Sequence, residues 1–426
     1  MAGRERHYFA RGNTAEGLVS LVDSIYYKLD TVYVLKGDPQ EIGAVLARLA
    51  NGWGRRDWNL HLIHQPLQSD LLEGIIIEDA RIGLIADQAW PEEGVPGDME
   101  VRRIDFGSDP SGERLAEHRD HINGLEYNIA ESYAKAYETF QRTLRIHDDW
   151  EKIFIDTLDR AVMNQLAVDW ADQYLISSEA GLERAADAGA GGGTDVGADS
   201  GAGAVGGTGV GADAGAGISA GGGAGAGASE GAGASAGAGA STSGKESGVV
   251  TRRFLGAATW RGAVDFVLNL TEDVPTRIFV KGRPGSGKST LFKKIAAIAE
   301  ERGIDTEVYH CGFDPNSLDM LIFRSLGVAI FDSTAPHEHF PLREGDSILD
   351  IYELAIAPYT DEKYAEEIAG VKARYTASMQ HAISYLAEVK QNQDRLSAIH
   401  RSISDEEAIS RRVQLLAEEI EARAGV

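Results

Sequence analysis

Subtracting 245 from positions late in this chain lands on matching residues early in it, and that offset limits the possible folds more than any other feature. Phe254 falls on Phe9, Thr259 on Thr14, Gly262 on Gly17 and Val264 on Val19. Lys281-Gly282 falls on Lys36-Gly37, Pro284 on Pro39 and Leu291 on Leu46, without a gap. Farther along, Asp332 meets Asp87 and Pro336 meets Pro91, while His310 meets His64 after a one-residue shift. A single long offset means two copies of one unit, whereas a solenoid needs several short repeats. The copies occupy residues 1–177 and 249–426. Between them, 178–248 is dominated from residue 187 onward by Gly and Ala, with some Ser and Thr. That composition has too little large apolar side chain to offset ordering entropy and reads as a disordered linker.

Both copies read as α/β. In the first, Thr14 can cap a helix through Leu18, Leu21, Val22 and Ile25, followed by a strand at 31–35, a helix near 41–50, and strands near 60–63 and 82–86. The second copy predicts a helix from Thr259, a strand at 276–280, a helix from Lys288, and strands at 307–310 and 327–331. Strands alternating with helices predict a parallel sheet flanked by helices in each copy. Each copy then closes with long helices. Apolar residues recur at three- and four-residue steps from Tyr364 to Val389 and, in the first copy, from Ile122 to Leu144. Ser404-Asp405-Glu406-Glu407 has capping-box spacing before a last helix ending near Arg423.

Charge narrows the function classes. The formal net charge is −25, and the Gly/Ala stretch, with six carboxylates against one lysine, accounts for only a small part. Such an excess opposes non-specific binding to nucleic acid or anionic membranes. No apolar run approaches the length of a membrane helix, and the first residues lack the apolar core of a secretory signal. The single cysteine, Cys311, excludes an intrachain disulfide and an all-cysteine zinc site. The expectation is a cytoplasmic protein.

Gly282-Arg283-Pro284-Gly285-Ser286-Gly287-Lys288-Ser289 matches G-x-x-x-x-G-K-[ST], the phosphate-binding loop, and an apolar strand and a helical pattern flank it as the motif requires. Glycines let successive backbone N–H groups turn toward a phosphate, and the helix N-terminus adds partial positive charge. The cofactor-binding set is Gly282, Pro284, Gly285, Ser286, Gly287, Lys288, Ser289 and Thr290. Lys288 would reach the terminal phosphates, and Ser289 would ligate Mg2+ opposite Asp332, which ends the apolar run Gly327–Phe331. In the first copy Gln40-Glu41-Ile42-Gly43-Ala44 replaces the core of the loop, so that copy lacks both the lysine and the hydroxyl.

Ser333 follows Asp332 where many P-loop ATPases have a water-activating glutamate. Candidates for that role are His310, Asp314 and Asp319 in one segment and His337 in Thr334–His337, at strand ends expected to face one crevice. Arg283, Arg324 or Arg343 could neutralise developing charge. No Asn-Lys-x-Asp is present for guanine recognition and no transporter signature, which leaves ATP as the nucleotide by exclusion.

Outside the linker, the chain resembles a bacterial family of proteins with two tandem P-loop NTPase-like halves. The resemblance rests on His7–Thr14 with Gly17, on Lys281–Leu291, on His310-Cys311 with Asp314-Pro315 and Ser317-Leu318-Asp319, and on Asp332–His337. It implies ATP binding and names no substrate. The expected function is Mg2+-dependent ATP hydrolysis at one site in the second copy. Phosphotransfer to a small molecule, or an ATP-gated scaffold for a protein partner, are the alternatives.

Overall fold

The computed structural model describes residues 3–54, 56, 58–107, 113–176, 247–335 and 337–425. Nearly all of the expected linker, 178–248, lies outside the described residues.

The first copy contains strands β1 (Glu5–Tyr8), β2 (Arg11–Thr14), β3 (Gly17–Ser20), β4 (Thr31–Lys36), β5 (Leu60–His64), β6 (Leu72–Ile77), β7 (Ile82–Ala86) and β8 (Glu100–Asp105). Its helices are α1 (Val22–Tyr26), α2 (Pro39–Trp53), α3 (Glu113–Glu117), α4 (Arg119–Ile155) and α5 (Arg160–Tyr174). The second copy repeats the strands as β9 (Val250–Phe254), β10 (Gly256–Thr259), β11 (Gly262–Asp265), β12 (Thr276–Lys281), β13 (Thr306–His310), β14 (Leu318–Phe323), β15 (Val328–Asp332) and β16 (Asp346–Asp350). Its helices are α6 (Val267–Leu270), α7 (Lys288–Glu301), α8 (Ile351–Ala355), α9 (Thr360–Lys363), α10 (Ala365–Ile403) and α11 (Glu406–Arg423).

Two six-stranded sheets result, ordered β1-β5-β6-β7-β4-β8 and, equivalently, β9-β13-β14-β15-β12-β16. Neither is purely parallel, contrary to expectation. β6 runs antiparallel to β5 and β7, and β14 antiparallel to β13 and β15. The connections 65–71 and 78–81 are too short to cross over, so the chain must reverse. Every residue of β6 and of β14 is buried, so neither strand shows the alternation that marks a half-exposed strand.

The expected helix from Thr14 is instead the hairpin β2–β3, and only Val22–Tyr26 is helical. Thr14 Oγ1 accepts from Glu16 N–H and donates to Gly17 C=O, closing a turn rather than capping a helix. Thr259 does the same with Arg261 and Gly262. Gly17 and Gly262, at φ +99° and +110°, provide the left-handed residue each turn needs.

The copies meet about an approximate two-fold relation. Phe9 and its counterpart Phe254 exchange backbone hydrogen bonds, 3.0 and 3.4 Å. His7 N–H donates to Asn269, and the counterpart Arg252 N–H donates to Ser24, both at 2.8 Å. α4 and α10 pack antiparallel, with Thr143 hydrogen-bonded to Ser378 and Ser132 to Glu388. A single apolar core then runs from Val34 and Ile63 of one sheet to Phe279 and Met320 of the other.

The last helix of each copy crosses to the other copy's sheet. Val413, Leu416 and Ile420 of α11 bury against Leu35, Leu46 and Leu49 of the first copy. Met163, Ala167 and Trp170 of α5 bury against Val280, Leu291 and Ile295 of the second. Among the described residues, no helix is long and apolar enough to cross a membrane. Leu416→Ala should destabilise the protein by about 2–5 kcal/mol in chemical denaturation. Hydrogen exchange should show the lost protection in β4 and α2 of the first copy, and loosening confined to the second copy would refute the exchange of helices.

Candidate functional site

The loop 282–287 leaves the interior strand β12 at its carboxyl end and enters α7, beside the parallel neighbours β15 and β16. Open α/β sheets leave their crevice at that edge. Gly285 and Gly287 have φ of +77° and +88°, which β-carbons disfavour. At Gly282 a β-carbon would overlap Ser286 Oγ. α7 begins with Gly287 at its N-cap and no side chain capping its first amides. Ser286 Oγ is fully buried and makes no hydrogen bond among the described residues.

The lysine and the carboxylate meet here. Lys288 is buried, donates from Nζ to the Arg283 carbonyl at 3.0 Å, and lies 3.7 Å from Asp332 Oδ2. Asp332 Oδ1 accepts from the backbone N–H and hydroxyl of Thr334 at 2.9 and 2.6 Å. Ser289 Oγ accepts from Leu318 N–H at 3.0 Å, which binds α7 to the start of β14. Asp319, next along β14, is buried beside Asp332, and burial with that like charge pushes its carboxyl well above the ordinary carboxylate range. Thr290 is exposed.

A cavity of about 690 Å3 opens over the loop. Lys281–Pro284 and Lys288 form its floor, Tyr352, Ile368 and Lys372 one side, and Trp150 and Phe154 another. The last two belong to α4, so both copies build this cavity. The buried Trp150 Nε1–H has no partner among the described residues. Arg283 is held at the rim by both nitrogens on Asp361 Oδ2, 2.8 and 3.1 Å.

The first copy makes the contrast. There α2 begins at Pro39, and Asp38, the counterpart of Arg283, caps it by accepting from Gln40 and Glu41 N–H at 3.0 and 3.2 Å. Ser397 donates to the other Asp38 oxygen at 2.8 Å. A carboxylate of the protein therefore occupies the anion position of this helix N-terminus. Gly43 stands where Lys288 does, and Leu71 and Leu72 close over it.

The other sequence candidates lie elsewhere. His310 ends β13 with Nδ1 on the Pro315 carbonyl at 2.6 Å and does not line the cavity. His64 makes the same bond to the Ser69 carbonyl in the copy without the loop, which marks a fold-holding contact. Asp314 accepts from Asn316 N–H at 3.0 Å in a tight turn. Arg324 pairs with Glu307 and Asp273, and Arg343 caps carbonyls at 271–274, so neither faces the loop. Burial raises the Cys311 thiol, which removes its nucleophilic form. Pro336 lies outside the described residues.

Two features escaped the sequence. His337 is half-buried against Asp265, Nδ1 to Oδ2 2.8 Å, and Asp265 also meets His339 at 3.1 Å. His337 keeps its proton more firmly than an ordinary histidine because Asp265, Asp319 and Asp332 outweigh its burial. Nothing local in Gly262–Asp265 signals that partnership. The Trp150–Phe154 wall lies beyond the apolar stripe Ile122–Leu144 that the sequence showed. Comparison with protein-family models, with curated proteins and with solved structures finds no match.

At Gly285 a β-carbon would overlap the Glu151 backbone, so α4 rests directly on the loop. Gly285→Ala should cost about 1–3 kcal/mol through backbone strain. Gly52→Ala, in a helix with open space around it, should be neutral or stabilising. Equal denaturation midpoints for the two variants would count against the contact.

Proposed function

We propose that the chain binds a nucleoside triphosphate, ATP by exclusion, over Gly282–Thr290 and hydrolyses it with Mg2+. The observation that carries this reading is the uncapped N-terminus of α7, set against the same helix start in the first copy, which Asp38 fills. First-turn amides without a side-chain cap, left-handed glycines and a Ser286 hydroxyl unpartnered among the described residues suit a phosphate. Lys288 would exchange the Arg283 carbonyl for a phosphate oxygen, and the cationic floor of the cavity would offset the charge of the ligand in an otherwise acidic protein.

Ser289 and Asp332 offer the hard oxygen donors that Mg2+ takes, and both are buried at the loop. That ion would supply charge neutralisation on the transferring phosphoryl group. Lys288 would stabilise the same charge from the loop side. Asp314 and His310 are bound into turns, which leaves the proton acceptor nearer Asp332.

A second reading, an ATP-gated scaffold, draws support from α4. A ligand on the loop would touch Trp150 and Phe154 as well as the second copy, so binding would clamp the copies together. The first reading requires phosphate release dependent on Mg2+, and the second requires compaction in small-angle scattering with negligible turnover.

Lys288→Ala should weaken binding of a fluorescent ATP analogue at least about tenfold, because a buried charge-assisted contact is lost. Unchanged affinity would overturn the assignment of the site. A competition series with GTP, CTP and UTP tests the choice of ATP in the same assay.

A further inference from the structure

Asp319 is the buried group this reading leaves unexplained. It is 2% exposed, and among the described residues neither carboxylate oxygen accepts from an N–H or O–H group, the Cys311 thiol being its one hydrogen-bonding neighbour. A buried carboxylate without a partner carries a large desolvation cost. Met320 of β14 pairs with Phe331 of the antiparallel β15, so Asp319 and Asp332 are the next cross-strand neighbours, with the Cys311 thiol, Lys288 and His337 near them.

The first copy answers the same problem differently. Leu72 lies opposite His64 as Leu318 lies opposite His310, so Glu73 is the counterpart of Asp319. Glu73 is equally buried but paired, taking Arg11 Nη2 at 2.6 Å and Nε at 3.2 Å on one oxygen. Arg11 is completed by the Gln88 carbonyl at 2.9 Å. The counterpart of Arg11 is Gly256, where a β-carbon would overlap the Val264 carbonyl, so no arginine fits. A small cavity of about 30 Å3 remains there, lined by Gly256, Cys311 and His337 among others. Asp87, the counterpart of Asp332, is half-exposed and salt-bridged to Arg103 at 3.0 Å, so the first copy buries one acid where the second buries two.

Two cations remain near the second pair, and both have other partners. His337 is held on Asp265. Lys288 lies 3.7 Å from Asp332 and, on the proposed function, turns to a phosphate when nucleotide arrives. Two buried carboxylates would then face each other without their nearest ammonium.

We infer that Asp319 and Asp332 together form a binding site for a hard divalent cation, with the Ser289 hydroxyl as a neutral third donor. The inference deepens the proposed function, since it rests on the Mg2+ assigned there to Ser289 and Asp332 and makes Asp319 a ligand of equal standing. A pair of carboxylates plus a hydroxyl is an all-oxygen donor set, which selects Mg2+ or Mn2+ over softer metals.

The test is Mn2+ binding to the full chain, read from the loss of the free-ion paramagnetic resonance signal, with and without a non-hydrolysable ATP analogue. Asp319→Asn should weaken Mn2+ affinity about tenfold or more, the scale seen when the support of a metal site is removed. Glu73→Gln, the same change in the first copy, should leave it unaltered. Equal Mn2+ affinity for Asp319→Asn and the parent overturns the inference. Nucleotide binding measured separately in EDTA judges the phosphate loop alone, so failure there leaves the Mn2+ comparison intact. Should Asp319→Asn fail to fold, crystals of the parent soaked in Mn2+ decide: an anomalous peak touching both Asp319 and Asp332 supports the site, and one outside reach of Asp319 refutes it.

Discussion

The crossing of α5 and α11 governs the rest of the molecule. Each sheet buries one face against its own helix, α2 or α7, but leaves part of that face for a helix from the other copy. The link 156–159 between α4 and α5 is tied to the second copy, with Asp159 N–H on the Ala355 carbonyl at 2.8 Å and Ala357 N–H on the Thr157 carbonyl at 3.0 Å. α4 and α10 lie side by side and antiparallel between the two crossings. Separating the copies would expose α5, α11, the α4–α10 seam and the core shared between the sheets. The copies stand to each other as protomers of a dimer whose exchange has been made intramolecular.

That arrangement explains why a copy without the loop is kept. α4 begins in the first copy but ends over the loop of the second, with Glu151 against Gly285 and Trp150 and Phe154 facing the cavity. Removing the first copy would take away one wall of the cavity and the cover on α7. Its contribution to the site is structural and is made from the far end of a 37-residue helix.

The duplication and the strand–loop–helix at Gly282–Lys288 were legible because each leaves a one-dimensional mark: an offset and a spacing. Three strands of the first copy (β4, β5 and β7) followed from apolar runs, whereas β6 and β14 did not. Those strands are buried on both sides, and Asp319 inside β14 looks like a loop residue. The hairpins at Thr14 and Thr259 were mistaken for helix starts because a threonine hydroxyl serves an N-cap and a tight turn with the same geometry. At the site, the loop and Asp332 were readable by spacing. Asp265 with His337, and Trp150 over the loop, were not, because those contacts depend on which strand ends and helix ends the topology brings together.

Comparing the copies gives the sharpest constraint on chemistry. At the helix start, the first copy has Asp38 where the second has no side-chain cap. At the buried acid, the first copy has Arg11 on Glu73 where the second has Gly256 and an unpaired Asp319. The two replacements have opposite sign and lie on different elements, α2 and β2, so one local mutation could not have made both. Each supplies from the protein the charge that its counterpart lacks, an anion at the amides and a cation at the carboxylate. On the proposed function, a nucleoside triphosphate would bring the anion to the first position and its metal the cation to the second, whereas a free phosphate would leave Asp319 without a cation and a metal alone would leave the α7 amides uncapped.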